Sequence, residues 1–283
     1  MPAMRLALHS APEGFLKSKP PYSNSELLLL VKKASSLDFK CLEIGPLWSF
    51  IQIDAKNLRK VLDHYGMERS VHVGGIYDAE KFVRSTEGEY EKAQKEANCG
   101  INLSRELHSG LVSLHPPFFM SGKARSKQIK TRARDCFHRL VEDAVKSASQ
   151  HGIKLALESF CYPPFIFNGL DDFMEFVSSF SSTQLGILLE VGHLFHMSFS
   201  LDKAVQMFKK RLSDVHVHDA TLGGDVKKAT HLPIGRGQID FANLIRRLHE
   251  VNYDGWLTLE IRGNEAEILE SKKSLEHLIK LDK

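Results

Sequence analysis

Cysteine is scarce in this sequence. The four present, Cys41, Cys99, Cys136 and Cys161, include no CxxC pair. Their spacing offers no disulfide framework and fits a reducing cytoplasm. Long hydrophobic runs are missing as well. The longest, such as residues 27–31, fall far short of the roughly 20 residues that cross a bilayer. The opening Met1-Pro2-Ala3-Met4-Arg5 leads straight into a strand-like segment, without the basic region and apolar run of a signal peptide. The expectation is therefore a cytoplasmic protein with no membrane partner. Charge of one sign is not in excess either. The 38 basic residues face 35 acidic ones for a net charge of +3, and they are spread along the chain. Electrostatics thus neither demand a nucleic-acid partner nor exclude one. No linker, low-complexity tract or break in composition divides residues 1–283, so a single domain is expected.

What is present is a repeating alternation. The chain has 283 residues, 42% of them hydrophobic, which suits one large α/β domain. Eight short apolar runs read as strands: residues 5–9, 41–45, 70–74, 111–115, 153–158, 186–190, 215–219 and 256–261. Several are nearly continuous in Val, Ile and Leu, as strands buried on both faces are. Between them lie amphipathic segments. Residues 131–150 carry Phe137, Leu140, Val141, Ala144 and Val145 on one stripe, with Gly152 as a stop. Residues 25–35, 201–210 and 240–250 read similarly, and Asp240 fits an N-cap. Eight strand–helix repeats at this length predict a (β/α)₈ TIM barrel. Pro20-Pro21, Pro116-Pro117 and Pro163-Pro164 then fall in the loops that follow strands.

In such a barrel the C-terminal ends of the strands share one mouth. Each proposed strand here ends on or near a ligand or acid–base group: His9, Glu43, His72, His115, Glu158, Glu190, His216 and Glu260. His193 and His231 follow in loops. One such residue alone reads as readily as a structural hydrogen-bonding group. The set says more, because the barrel makes these positions converge. Buried together, the carboxylates repel, and a divalent cation resolves the conflict. Imidazole and carboxylate together suit zinc, manganese, cobalt or ferrous iron better than magnesium.

Five segments carry a resemblance. They are Leu155-Ala156-Leu157-Glu158, residues 186–193 ending Glu190-Val191-Gly192-His193, Val215-His216-Val217-His218-Asp219, residues 231–241 from His231 to Phe241, and residues 253–260 ending in Glu260. In order and at βα spacing, they resemble the xylose isomerase-like TIM-barrel superfamily over nearly the whole chain. That group holds sugar and sugar-phosphate isomerases and epimerases, and the endonuclease IV family of DNA repair enzymes. The resemblance implies one divalent metal (Zn, Mn or Co) on Glu158, Glu190, His216 and Glu260. His216 rather than His218 is implied because the family's ligand histidine precedes an acidic residue, here Asp219, by three. It implies proton transfer on a sugar or sugar phosphate through an enediolate, with Glu158 and Glu260 as the acid–base pair. His193 and His231 would hold substrate hydroxyls or move protons. Apart from the resemblance, Arg236, between Gly235 and Gly237 and ahead of a helix start in the eighth-strand region where barrels often bind phosphate, reads as a phosphate contact or equally as an exposed arginine on a turn. A homo-oligomer is common among the resembled isomerases. One departure is Glu190, where the family usually has Asp. Its side chain is longer by about 1.5 Å, one C–C bond.

The nuclease branch implies a different chemistry on the same positions, with two or three zinc ions and abasic DNA as substrate. Its additional ligands fall on His72, His115, His193 and His231. Against it, the Asp preceding the last histidine is Thr230 here, and the Gly-rich stretch after the fifth strand is replaced by residues 159–167. That aromatic loop, with Phe160, Phe165 and Phe167, reads as a lid over a small substrate or as an exposed oligomer contact. A third reading is a non-catalytic barrel.

Overall fold

In the computed structural model, residues 4–10, 13–16, 18–75, 77–84, 88–120 and 126–282 are described. Eight parallel strands follow one another round a closed barrel. They are β1 (Arg5–His9), β2 (Cys41–Ile44), β3 (Glu68–His72), β4 (Leu111–Leu114), β5 (Lys154–Glu158), β6 (Leu185–Glu190), β7 (Leu212–Val217) and β8 (Trp256–Leu259). Parallel neighbours need a long crossover, and helices supply it between successive strands. β8 closes on β1 with Leu6 beside Leu257 and Leu8 beside Leu259.

The expected strands all form, with shifted ends. β3 begins at Glu68, paired with Cys41 of β2. β7 begins at Leu212, three residues before the apolar run that predicted it, because a register shift at Ile187/Leu188 lets Leu188 pair with Asp214. The predicted helices form too. Asn24–Ser36 starts from a Ser23–Glu26 capping box. Lys127–Ser149 starts at the Ser126 cap, several residues before its apolar stripe, and buries Phe137, Leu140, Val141, Ala144 and Val145. Asp240 caps Phe241–Glu250 by accepting from the Asn243 amide. Each fully buried Leu or Phe of these stripes contributes on the order of 2 kcal/mol. All four cysteines are free. Among the described residues, no helix is long and apolar enough to cross a membrane.

Side chains alternate across a strand, so the residue two before each mouth group shares its face. Those residues are largely small or polar: Ala7, Cys41, Ser70, Ser113, Ala156, Asp214 and Thr258. All are buried. The interior beneath the mouth is therefore filled by small side chains and is polar on the β7–β8 side.

Candidate metal centre at the barrel mouth

His216 stands at the middle of the mouth, fully buried. Its Nδ1 lies 2.9 Å from Glu260 Oε2 and 3.2 Å from Glu190 Oε2. Its Nε2 lies 2.8 Å from Glu43 Oε2. His9 Nε2 is 3.8 Å from Glu43 Oε2 and 3.9 Å from Glu260 Oε1. Glu158, Glu190 and His216 each offer an atom within 4.8 Å of the others. The four residues assigned to one metal by resemblance thus face a common space, and Glu43 joins them from below.

Burial opposes charge on these carboxylates, but neighbouring imidazoles outweigh it at three of them. They hold Glu43 down at about 2, and Glu190 and Glu260 below the usual carboxylate range. Glu158 goes the other way. Burial lifts it to about 7, the Glu190 charge adds to the lift, and His115 pulls against it. For His216, burial favours the neutral ring, yet Glu43 and Glu260 hold it well above the usual histidine range.

Several buried atoms here have no hydrogen-bond partner of acceptable geometry: Glu43 Oε2, Glu158 Oε2, Glu190 Oε2 and both ring nitrogens of His216. Buried polar atoms without partners are costly and uncommon. Carboxylate oxygens and an imidazole nitrogen left in this way, in one small space, are the donors that a transition-metal dication or zinc satisfies. The residues present therefore fit a divalent metal.

A second group adjoins the first. His115 Nε2 is 2.7 Å from Glu158 Oε2, and His72 Nε2 is 3.8 Å from the same oxygen. His72 Nδ1 lies 2.7 Å from Ser113 Oγ, which in turn can donate to Glu43 Oε1 at 3.5 Å. Burial drives His72 well below the usual histidine range, so its ring is neutral. His72, His115 and Glu158 also place ligand atoms within 4.8 Å of one another.

A third group of His193, His218 and His231 looks similar by distance, but its nitrogens are committed. His231 Nδ1 faces the Glu260 carbonyl at 3.0 Å, so it donates. Its Nε2 is then an acceptor, and His193 Nε2 donates to it at 3.1 Å. His193 Nδ1 is left to accept from the Tyr162 hydroxyl at 3.2 Å. Burial, aided by neighbouring imidazoles, pushes His193 well below its usual range and His231 to about 4, so both rings are neutral. His218 Nδ1 accepts from the His231 amide at 2.8 Å, and its Nε2 lies 2.5 Å from Glu190 Oε1. With both nitrogens engaged, His218 anchors Glu190. Thr230, where the nuclease motif has Asp, donates to the Val226 carbonyl.

Gly192 makes room for that anchor. A Cβ there would sit 1.9 Å from His218 Cε1. Gly192→Ala is expected to cost about 1–3 kcal/mol by overpacking and to loosen the hold on Glu190. Urea unfolding and a manganese titration test this. Wild-type stability together with wild-type affinity would show that the His218 ring can move without consequence.

Two loop expectations need correcting. The aromatic segment after β5 is not an exposed patch: Phe160 and Tyr162 are buried and Phe167 is fully so. Phe160 stacks on Phe165 at 4.5 Å between ring centroids and meets His115 and His193 edge-on. Its apolar residues are consumed in walling one side of the mouth. The Gly235–Gly237 turn does not offer its amides to a phosphate. The Asp219 carboxylate already accepts from Ala220, Gly235, Gly237 and Ile239 at 2.8–3.1 Å. Arg236 is exposed on that turn, away from the residues lining the mouth cavity.

That cavity measures about 160 Å³ and is lined by His9, Trp48, His231, Glu260 and Arg262 among others. A larger one, about 750 Å³, opens beside it and shares Glu13, Pro20 and Arg262. The sequence reading missed Arg262, Trp48 and Asp214. Asp214 had a signal, since it lies two residues before His216 on the same strand face. The other two lie in loops, which strand pattern does not encode.

Comparison with known proteins places this architecture. An uncharacterized protein of Methanocaldococcus jannaschii is 26% identical over 181 residues, 62% of this chain and 58% of that protein. The chain matches 55–64% of the length of its curated relatives. Among solved structures, a D-tagatose 3-epimerase-like protein superposes with a TM-score of 0.76 at 22% identity, covering 99% of this chain and 98% of that one. An L-ribulose 3-epimerase gives a TM-score of 0.76 at 15% identity, covering 99% and 95%. The family model described as xylose isomerase-like TIM barrel matches residues 31–281. With most of its length under that model and its eight strands closed in order, the chain belongs to the xylose isomerase-like TIM-barrel family.

Proposed function

We propose that this protein is a metal-dependent enzyme that isomerises or epimerises a sugar or sugar phosphate in the cytoplasm. The observation that carries the reading is the convergence of Glu158, Glu190, His216 and Glu260 around buried atoms that lack hydrogen-bond partners. The likeness to sugar 3-epimerases of the same fold supports it.

In this reading, Glu158, Glu190, His216 and Glu260 hold one zinc, manganese or cobalt ion, and Glu190 reaches it while anchored by His218. The cation supplies Lewis-acid polarisation of the sugar carbonyl. Glu158 and Glu260 exchange the proton on the carbon beside that carbonyl, one removing it and the other returning it. Without the cation, burial lifts the Glu158 carboxyl to about 7; a bound dication would draw it down again and hold Glu158 as the carboxylate that takes the proton. His193 and His231, their ring nitrogens already engaged, brace the mouth, and the Phe160–Tyr162 wall receives an apolar sugar face.

A second reading, a zinc phosphodiesterase acting on abasic DNA, draws on one observation. His72, His115 and Glu158 form a second ligand group beside the first. The engaged nitrogens of His193 and His231 and the occupied Thr230 hydroxyl weigh against a third zinc.

Elemental analysis of gently purified protein, followed by assays, separates the two. The expected result is about one Zn, Mn or Co per chain, turnover within a panel of ketoses and their phosphates, and no incision of an abasic-site duplex. Two or three zinc ions per chain with incision would overturn the first reading in favour of the second.

A further inference from the structure

Glu43 is not among the residues that the family pattern assigns to the metal, yet it makes the shortest contact that His216 has. An imidazole that binds a cation through one nitrogen carries its proton on the other, and that N–H needs an acceptor. At His216 the two nitrogens face different ways. Nδ1 lies among Glu190 and Glu260, at 3.2 and 2.9 Å. Nε2 lies 2.8 Å from Glu43 Oε2. Glu43 is fully buried. The hydroxyl of Ser113, itself beside His72, approaches its other oxygen at 3.5 Å. The β2 backbone holds it too: the Glu43 carbonyl accepts from Ser10, and His9 pairs with it across β1–β2.

The geometry points to Glu43 as the positioning residue of the metal centre. In this structure the pair is close, at 2.8 Å, but not aligned for a hydrogen bond; with the cation bound, Glu43 accepts the Nε2 proton of His216, so that Nδ1 presents its lone pair to the cation held with Glu158, Glu190 and Glu260. This inference rests on the metal reading given above. Glu43 itself stays out of the coordination sphere and sets which tautomer His216 adopts. Glu190, held by His218 Nε2 at 2.5 Å, has an equivalent anchor, so two of the four ligands are fixed by dedicated partners.

The test is cation affinity rather than turnover. Metal-free wild type and Glu43→Gln are titrated with Co²⁺, following the d–d absorption bands, and with Mn²⁺ by competition. The expected result is a 10–100-fold weaker dissociation constant for the variant, the usual loss when such a partner is removed, with unchanged band positions. The melting temperature of the metal-free variant should stay within a few degrees of wild type. Affinity within twofold of wild type would overturn the proposal. So would shifted bands, which would make Glu43 a ligand in its own right. A measurement on the wild type stands even if the variant does not fold. In ¹⁵N-histidine NMR of the zinc-loaded protein, His216 should show a proton on Nε2 and a metal-shifted Nδ1; the reverse assignment overturns the proposal. A wild type that binds neither cation would remove the metal reading first, and the role of Glu43 with it.

Discussion

Glu158→Gln and Glu260→Gln are each expected to slow exchange of the substrate's carbon-bound proton with solvent by about 10²–10⁴-fold, the usual contribution of one positioned acid–base group. The amide keeps the shape and one ligand oxygen of each side chain but cannot accept a proton. The two residues reach the mouth from different strands, Glu158 beside His115 from β5 and Glu260 beside His216 just past β8. Losing either should therefore stop a cycle that needs both. Deuterium wash-in at the carbon next to the carbonyl, read by NMR on the ketoses that wild type turns over, measures the step directly. The assays are run at saturating Mn²⁺, with bound metal counted, so that weakened binding is not mistaken for lost proton transfer. Unchanged exchange in both variants would remove their acid–base role.

Asp214→Asn should stabilise the metal-free protein in alkaline solution. Asp214 lies beneath His216 with no exposed surface. Its Oδ1 accepts from Thr258 Oγ1 at 2.9 Å and from the Val215 amide at 2.7 Å, while Oδ2 has no hydrogen-bond partner. Burial first, and the Glu43 charge second, raise its carboxyl to about 7 from an ordinary value of 3.8. The folded state thus binds the proton more tightly than the unfolded chain. Stability is lost as pH rises from about 4 through 7, and the loss is complete above that. Each tenfold gain in proton affinity on folding corresponds to about 1.4 kcal/mol, so ionising the buried carboxyl costs on the order of 4 kcal/mol. The asparagine variant keeps the Oδ1 contacts and escapes that cost. Urea unfolding of both proteins should give nearly equal stabilities at pH 4 and a variant more stable by a few kcal/mol at pH 8. A gap that does not change with pH would mean that the wild-type carboxylate is ionised throughout.

Asp214 also shows where sequence reading stopped. The barrel was legible because buried parallel strands are nearly continuous apolar runs, and because each ended on His or Glu at a similar offset. β7 was read three residues short because Leu212-Ser213-Asp214 has the composition of a turn; the register shift against β6 draws those residues into the sheet. With Asp214 lost, the polarity beneath the mouth went unseen. Glu43 was seen as a strand-end group, but its contact with His216 depends on ring orientation, which spacing does not specify. The loops were least legible. Phe160 and Phe167 had the composition of an exposed patch, and packing buried them. The Gly235–Gly237 turn had the composition of a phosphate loop, and the carboxylate of Asp219, sixteen residues before Gly235, occupies its amides.

The row from Tyr162 through His193 and His231 to the Glu260 carbonyl runs one way. Each group gives a proton forward to the next, and the carbonyl at the end can only receive. No single ring can reverse without leaving two donors or two acceptors face to face. With every ring nitrogen of His193 and His231 taken, the row is a brace and not a reading surface. It ties the segments after β5, β6 and β7 to the backbone just past β8, so that four separate stretches of the rim move as one piece.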